Sequence, residues 1–149
     1  MVAARRGFKS QTYGMLHLSV WAYGAEPADV EDLEAELQAV VSRAGSVIVI
    51  MVVEASSPLA SVGAQSRAVA MVRGLGHALR AVCVVIEGAG VQAAAVRSVF
   101  VALATILRPR FRWKTFATTE PAILWLGPFL EAPVTPDGAR ARMRDLRAG

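Results

Sequence analysis

A chain of 149 residues has the size of one domain and can bury a core without disulfide or metal staples. Its hydrophobic fraction of 54% and charged fraction of 19% exclude the disordered class, where low hydrophobicity accompanies high net charge. The net charge of +4 is unevenly spread, with an acidic segment at Glu26, Asp29, Glu31, Asp32, Glu34 and Glu36, a basic band at Arg108, Arg110, Arg112 and Lys114, and Arg140, Arg142, Arg144 and Arg147 near the C-terminus. Such separation favours oriented contact with a charged partner over general adhesion.

Residues 1–12 are basic and polar without a period and read as a flexible arm. Met15 to Ala22 alternates Leu16, Leu18 and Val20 with His17, Ser19 and Trp21, the period of a strand with one face better buried. Gly24 and Pro27 break it. From Asp29, which suits a cap, Val30, Leu33, Leu37, Val40 and Val41 form one helical stripe that Gly45 ends. Ser46 to Glu54 is an unbroken β-branched run, as expected of a central strand covered on both faces. After the turn Ser56-Ser57-Pro58, a helix is predicted from about Ser61 to Arg73, with Val62, Val69 and Val72 inward. Ala81 to Ile86 is a second central strand closed by Glu87-Gly88-Ala89-Gly90.

Val91 to Leu107 is a helix whose apolar residues nearly encircle it, so it must be covered on more than one side. Three covers fit: the two chain ends, a second copy in a homodimer, or an apolar ligand. Phe111 to Phe116 alternates aromatic with basic residues, as an edge strand does, and Thr118 or Thr119 caps a short helix carrying Ile123, Leu124 and Leu126. Pro133, Pro136 and Asp137-Gly138 then mark a linker to a basic tail over 131–149, which leaves residues 13–130 as the domain. Strands alternating with helices imply an α/β domain with about four strands in a mostly parallel or mixed sheet flanked by helices.

The mean hydropathy of +0.43 raises the question of a membrane span. Neither Ser46 to Val53 nor Val91 to Leu107 reaches the roughly 20 apolar residues a spanning helix needs, and no compact signal-peptide core follows Arg5, Arg6 and Lys9, so the cytoplasm is the expected location. Cys83, alone inside an apolar run, reads as a core residue. His17 and His77 have no ligand-spaced partners, so neither a metal nor another cofactor is expected.

Glu54 and Glu87 stand at the C-terminal ends of the two central strands, the edge where open α/β sheets bind ligands. With Ser56 and Ser57 they form the leading candidate site. Gly88 and Gly90 precede a helix start whose backbone donors suit an anion, although the spacing matches neither common nucleotide-binding loop. The interleaved Arg108, Arg110, Arg112, Trp113 and Lys114 can serve a basic contact patch; an edge strand guarded by charge explains them equally well, and nucleic acid is not the expected partner.

The segment Phe111 to Leu126 (FRWKTFATTEPAILWL) resembles the closing strand and capped helix of STAS and STAS/SEC14-like small domains. Ser46 to Glu54, with the turn Ser56-Ser57-Pro58 and its helix, is similar to the strand-turn-helix that carries the phosphorylatable serine of anti-sigma-factor antagonists. The family's turn is typically Asp-Ser-Ser/Thr-Gly-Leu; here it reads Glu54-Ala55-Ser56-Ser57-Pro58-Leu59, with proline in place of glycine and the acid displaced. The resemblance spans about Met15 to Leu126. It implies a non-enzymatic regulatory module of bacterial-type signalling that acts through a protein partner or a second copy of itself, with Ser56 or Ser57 at the regulatory position. A carrier or sensor of an apolar small molecule or lipid is the alternative, and a small enzyme using Glu54 and Glu87 the third reading.

Overall fold

The two β-branched runs lie side by side at the centre of a sheet. The computed structural model describes residues 7–149, and the sheet has five strands in the order β1 (Phe8–Tyr13), β2 (Leu16–Trp21), β3 (Val47–Val53), β4 (Leu79–Ile86) and β5 (Arg112–Phe116). β1 pairs antiparallel with β2, and every other pairing is parallel, with Val53 opposite Ile86 at the end of the central ladder. The expected α/β class and mostly parallel sheet are therefore present, with one strand more than the four expected.

Sequential strand order gives each crossover the same sense, and the normal right-handed connection then puts the crossover helices on one face. α1 (Pro27–Ala44), α2 (Val62–Leu75) and α3 (Val91–Leu107) cover that face, where Val30, Leu33, Leu37, Met71 and Val96 meet Val47, Val49, Val82 and Val84. The other face is covered by α4 (Thr119–Leu126) and α5 (Pro136–Ala148), where Ile123, Leu126, Met143 and Leu146 meet Leu18, Ile50, Cys83 and Val85. Burial pushes the Cys83 thiol well up from its ordinary value.

Several local expectations change. Residues 8–12, predicted as part of the arm, belong to edge strand β1; the arm's first six residues lie outside the described ones. The strand enters the two-residue turn Gly14-Met15 through Gly14 at φ 59, the positive φ such hairpins require. β2 is buried on both faces, so His17 and Ser19 are interior: His17 Nε2 lies 2.8 Å from Glu36 Oε1, and Trp21 Nε1 donates to Ser19 Oγ at 2.9 Å. α1 begins at Pro27; Asp29 sits at its third position and accepts from the backbone N–H of Glu26 and of Gly7. Within α2, Ala64, Met71 and Leu75 face inward, whereas Val62 is 79% exposed.

The basic tail over 131–149 is mostly the docked helix α5. Thr135 caps α5 by accepting from the Gly138 N–H at 3.0 Å, and Ala139, Met143 and Leu146 recur at the spacing of one helical face. Its arginines turn outward, where Arg140 binds both oxygens of Glu120 on α4. β1 holds the segment from beneath: Lys9 Nζ donates to the Arg147 and Gly149 carbonyls, and the Thr135 N–H donates to Tyr13 Oη.

Two outcomes follow. Met143 is 2% exposed, so Met143→Ala destabilises the whole domain by about 2–5 kcal/mol in urea titrations, where a solvated tail would give almost no effect. Hydrogen bonds from Arg140 hold the Glu120 carboxyl below its ordinary value. A carboxyl lowered by folding stabilises above its unfolded pKa and loses that effect as pH falls through the folded value. The Tm difference between the natural chain and Glu120→Gln, present at neutral pH, therefore closes on acidification through and below about pH 4.

Candidate functional site

Parallel pairing of β3 with β4 brings both central exits to one edge. The ladder runs one residue past each strand, since the Glu54 N–H donates to Trp21 O at 2.9 Å and the Glu87 N–H to Val53 O at 3.0 Å. Glu54, Ser56, Ser57, Glu87, Gly88 and Gly90 thus share a rim, as expected from sequence.

Within it their roles differ. The chain turns at 54–57 through a Ser57 N–H to Glu54 O bond of 2.9 Å, leaving Ser56 exposed and Ser57 buried at 3% exposure. Gln92 Nε2 on α3 donates to Ser57 O at 2.7 Å and ties this turn to the next loop. The cap of α2 is Ser61, whose Oγ accepts from the Ala64 N–H, so Ser56 lies upstream of the helix start.

Gly88 and Gly90 both have positive φ, 91° and 94°. A Cβ at Gly88 would lie 2.7 Å from the Ala55 Cβ, so glycine is required there for close approach as well as for φ. Arg97 on α3 donates to the Gly88 carbonyl at 3.0 Å.

Glu87 is bound through both oxygens by Arg147 of α5, at 2.9 and 2.6 Å. These bonds, with the nearby charges of Glu87 and Glu54, push the guanidinium above its ordinary value. Arg147 was grouped with the tail in the sequence; here it clamps the end of α5 to the rim and gives Glu87 a positioning role. The acidic segment is divided in the same way: Glu34 pairs with Arg67 at 2.5 Å, Glu36 with His17, and Asp29 is turned inward, whereas Glu26, Glu31 and Asp32 stay exposed.

Apolar side chains surround these polar groups. Among the described residues seven large hydrophobic side chains are exposed, and four belong to this rim: Tyr23 at 43%, Leu59 at 46%, Val62 at 79% and Val91 at 88%. Beneath Tyr23 and Leu59 a cavity of about 110 Å³ opens between the sheet and α1 to α3.

The predicted basic patch does not stay together. Arg112 and Lys114 are exposed on β5, and Lys114 Nζ lies 5.4 Å from the centre of the Phe116 ring. Arg108 and Arg110 instead line a cleft at the opposite edge of the sheet with Arg73, His77 and Arg80. Sequence reasoning missed this grouping, although β4 and β5 are both preceded by cationic turns and parallel neighbours bring such turns to one edge. Among the described residues no three His, Cys, Asp or Glu side chains gather at a metal-binding distance, and no helix is long and apolar enough to cross a membrane.

No protein-family model and no curated protein matches the chain.

Gly88→Ala, which meets both a clash and an unfavourable φ, costs about 1–3 kcal/mol in urea unfolding. Ser56→Asp leaves the unfolding free energy within about 0.5 kcal/mol, and Ser57→Asp, burying a carboxylate, lowers it by several kcal/mol.

Proposed function

We propose that the protein is a non-enzymatic regulatory module that works through protein contacts made by the C-terminal rim of its sheet. The observation that carries this reading is the placement of exposed Tyr23, Leu59, Val62 and Val91 at one edge of the sheet, on and beside a firmly held set of polar loops. Exposed apolar side chains scattered singly are ordinary, whereas a patch rimmed by polar groups marks a contact surface. The loops beneath are fixed by the Gln92 bond to Ser57 O, the Arg97 bond to Gly88 O and the Arg147 clamp on Glu87, so a partner meets a surface organised beforehand.

Ser56 lies on the same rim, exposed in the turn between β3 and α2. A phosphate there would add about −1.5 to −2 charges among apolar contacts and oppose docking. This agrees with the resemblance to anti-sigma-factor antagonists, and the exposure of Ser56 against the burial of Ser57 supports Ser56 as the regulatory position. Glu87, held by Arg147, serves the surface by positioning.

Val62→Asp and Val91→Asp test the reading, because both side chains are exposed and their replacement leaves Tm nearly unchanged. Each variant, and Ser56→Asp with them, loses a partner that the natural chain retains in affinity capture followed by binding titration with the purified partner. Leu124→Asp, on α4, retains it. Equal binding by the rim variants and the natural chain overturns the proposal.

A further inference from the structure

The face of the sheet beneath α2 and α3 is incompletely filled. The cavity of about 110 Å³ below the rim adjoins a second of about 70 Å³, and the two share walls made by Leu33, Met51, Ala68, Met71, Phe100 and Leu103. The second shares Val72, Leu79 and Leu107 with a cleft of about 460 Å³ at the N-terminal edge of the strands. The cavities thus form an interrupted apolar trough beside Val49, Met51 and Val53 of β3, parted by the side chains they share. Two of the six shared side chains are methionines, which move aside more readily than branched residues. For comparison, an apolar cavity of about 150 Å³ is known to stay dry and accept an aromatic hydrocarbon.

The cleft at the end of this trough is cationic. Arg73, His77, Arg80, Arg108 and Arg110 line it, and no acidic side chain does. Arg80 is occupied by Glu131 at 2.6 Å, whereas Arg73, Arg108 and Arg110 have no hydrogen-bonded or ion-paired partner among the described residues. Arg73 lies in the last turn of α2 and Arg108 caps the end of α3, where cations suit the helix dipole, but Arg110 belongs to neither helix. Arg108 also holds φ 45 at the position where α3 would ordinarily end on glycine. A cationic side chain kept there against backbone preference points to a use for its charge.

We infer that the protein binds an anionic amphiphile, a carboxylate or phosphate on an aliphatic chain, with the head on Arg73, Arg108 and Arg110 and the chain in the trough under α2 and α3. The head group lies at the opposite edge from the rim, and the assignment rests on the cavities and the cleft, independently of the contact surface proposed above.

Trp113 lines the second cavity and reports occupancy. Titrating the full chain with dodecanoate brominated along its chain quenches tryptophan emission, and unlabelled dodecanoate raises Tm. The methyl ester binds about tenfold more weakly, as expected on losing a charge-assisted contact. Arg108→Gly removes the charge while relieving the backbone, so it weakens dodecanoate about tenfold with Tm unchanged or raised. Arg110→Gln weakens binding similarly without touching a helix. Absence of quenching, equal affinity of acid and ester, or undiminished binding by both arginine variants overturns the assignment. So does inorganic phosphate or a short single-stranded oligonucleotide binding as tightly as dodecanoate without being displaced by it, since either outcome makes the cleft a site for a bare anion or for nucleic acid.

Discussion

Everything in this molecule depends on the parallel pairing of β3 with β4. Both strands are almost entirely apolar, so neither has a face that can turn to water, and both sides of the sheet must be covered. Since each crossover has the same sense, α1 to α3 all fall on one side, and the other side is left to whatever follows β5. This is the physical reason why α4 and α5 are part of the domain. Without them Ile50, Cys83 and Val85, each at 0% exposure, would face solvent. The same pairing sends every parallel strand's exit to one edge and every entrance to the other, so the rim and the cationic cleft are opposite ends of one ladder.

What could be read from the residues follows from how strongly burial marks a sequence. The runs Val47–Val53 and Leu79–Ile86 announce themselves because central strands need apolar residues at every position, and α3 is bounded where expected because Gly90 precedes it and Pro109 follows its end. β1 was not visible because an edge strand can be polar: FKSQTY buries only Phe8, and its other side chains hold the fold by hydrogen bonds, such as Ser10 Oγ to Glu36. In α5 the stripe of Ala139, Met143 and Leu146 is real but sparse among four arginines, and charge concealed the period. His17 falls on the less buried face by alternation, and its burial cannot be read from the chain because its partner Glu36 is 19 positions away on another element.

The candidate site was legible in part for the same reason. Strand exits can be inferred from strand ends, so the gathering of Glu54 with Glu87 followed from topology alone. Which of two adjacent serines is exposed could not be read that way; it depends on the turn at 54–57 and on Gln92, which reaches the Ser57 carbonyl from 35 residues away. The clamp from Arg147 spans 60 residues and needs α5 to be folded before it has meaning. The basic band Arg108 to Lys114 reads as one patch along the chain, but Arg108 and Arg110 precede β5 and line the cleft at the N-terminal edge, where Arg73 of α2 and Arg80 of β4 join them.

Helix α3 is where these features meet. Only Ala93 and Val96 are fully buried along its 17 residues, while Val91, Val101 and Ile106 stay exposed and cavities lie beneath Phe100 and Leu103. An apolar helix held by so few buried contacts is secured mainly in its N-terminal half, through Gln92 and Arg97 at the rim. One end carries Val91 in the contact surface and the other carries Arg108 in the cleft, roughly 25 Å apart along the helix axis. An occupant of the trough would supply the packing that α3 lacks and restrain the helix that orients the rim loops. Thermodynamic reciprocity then requires a rim partner that favours the same helix position to strengthen the hold on that occupant by an equal factor.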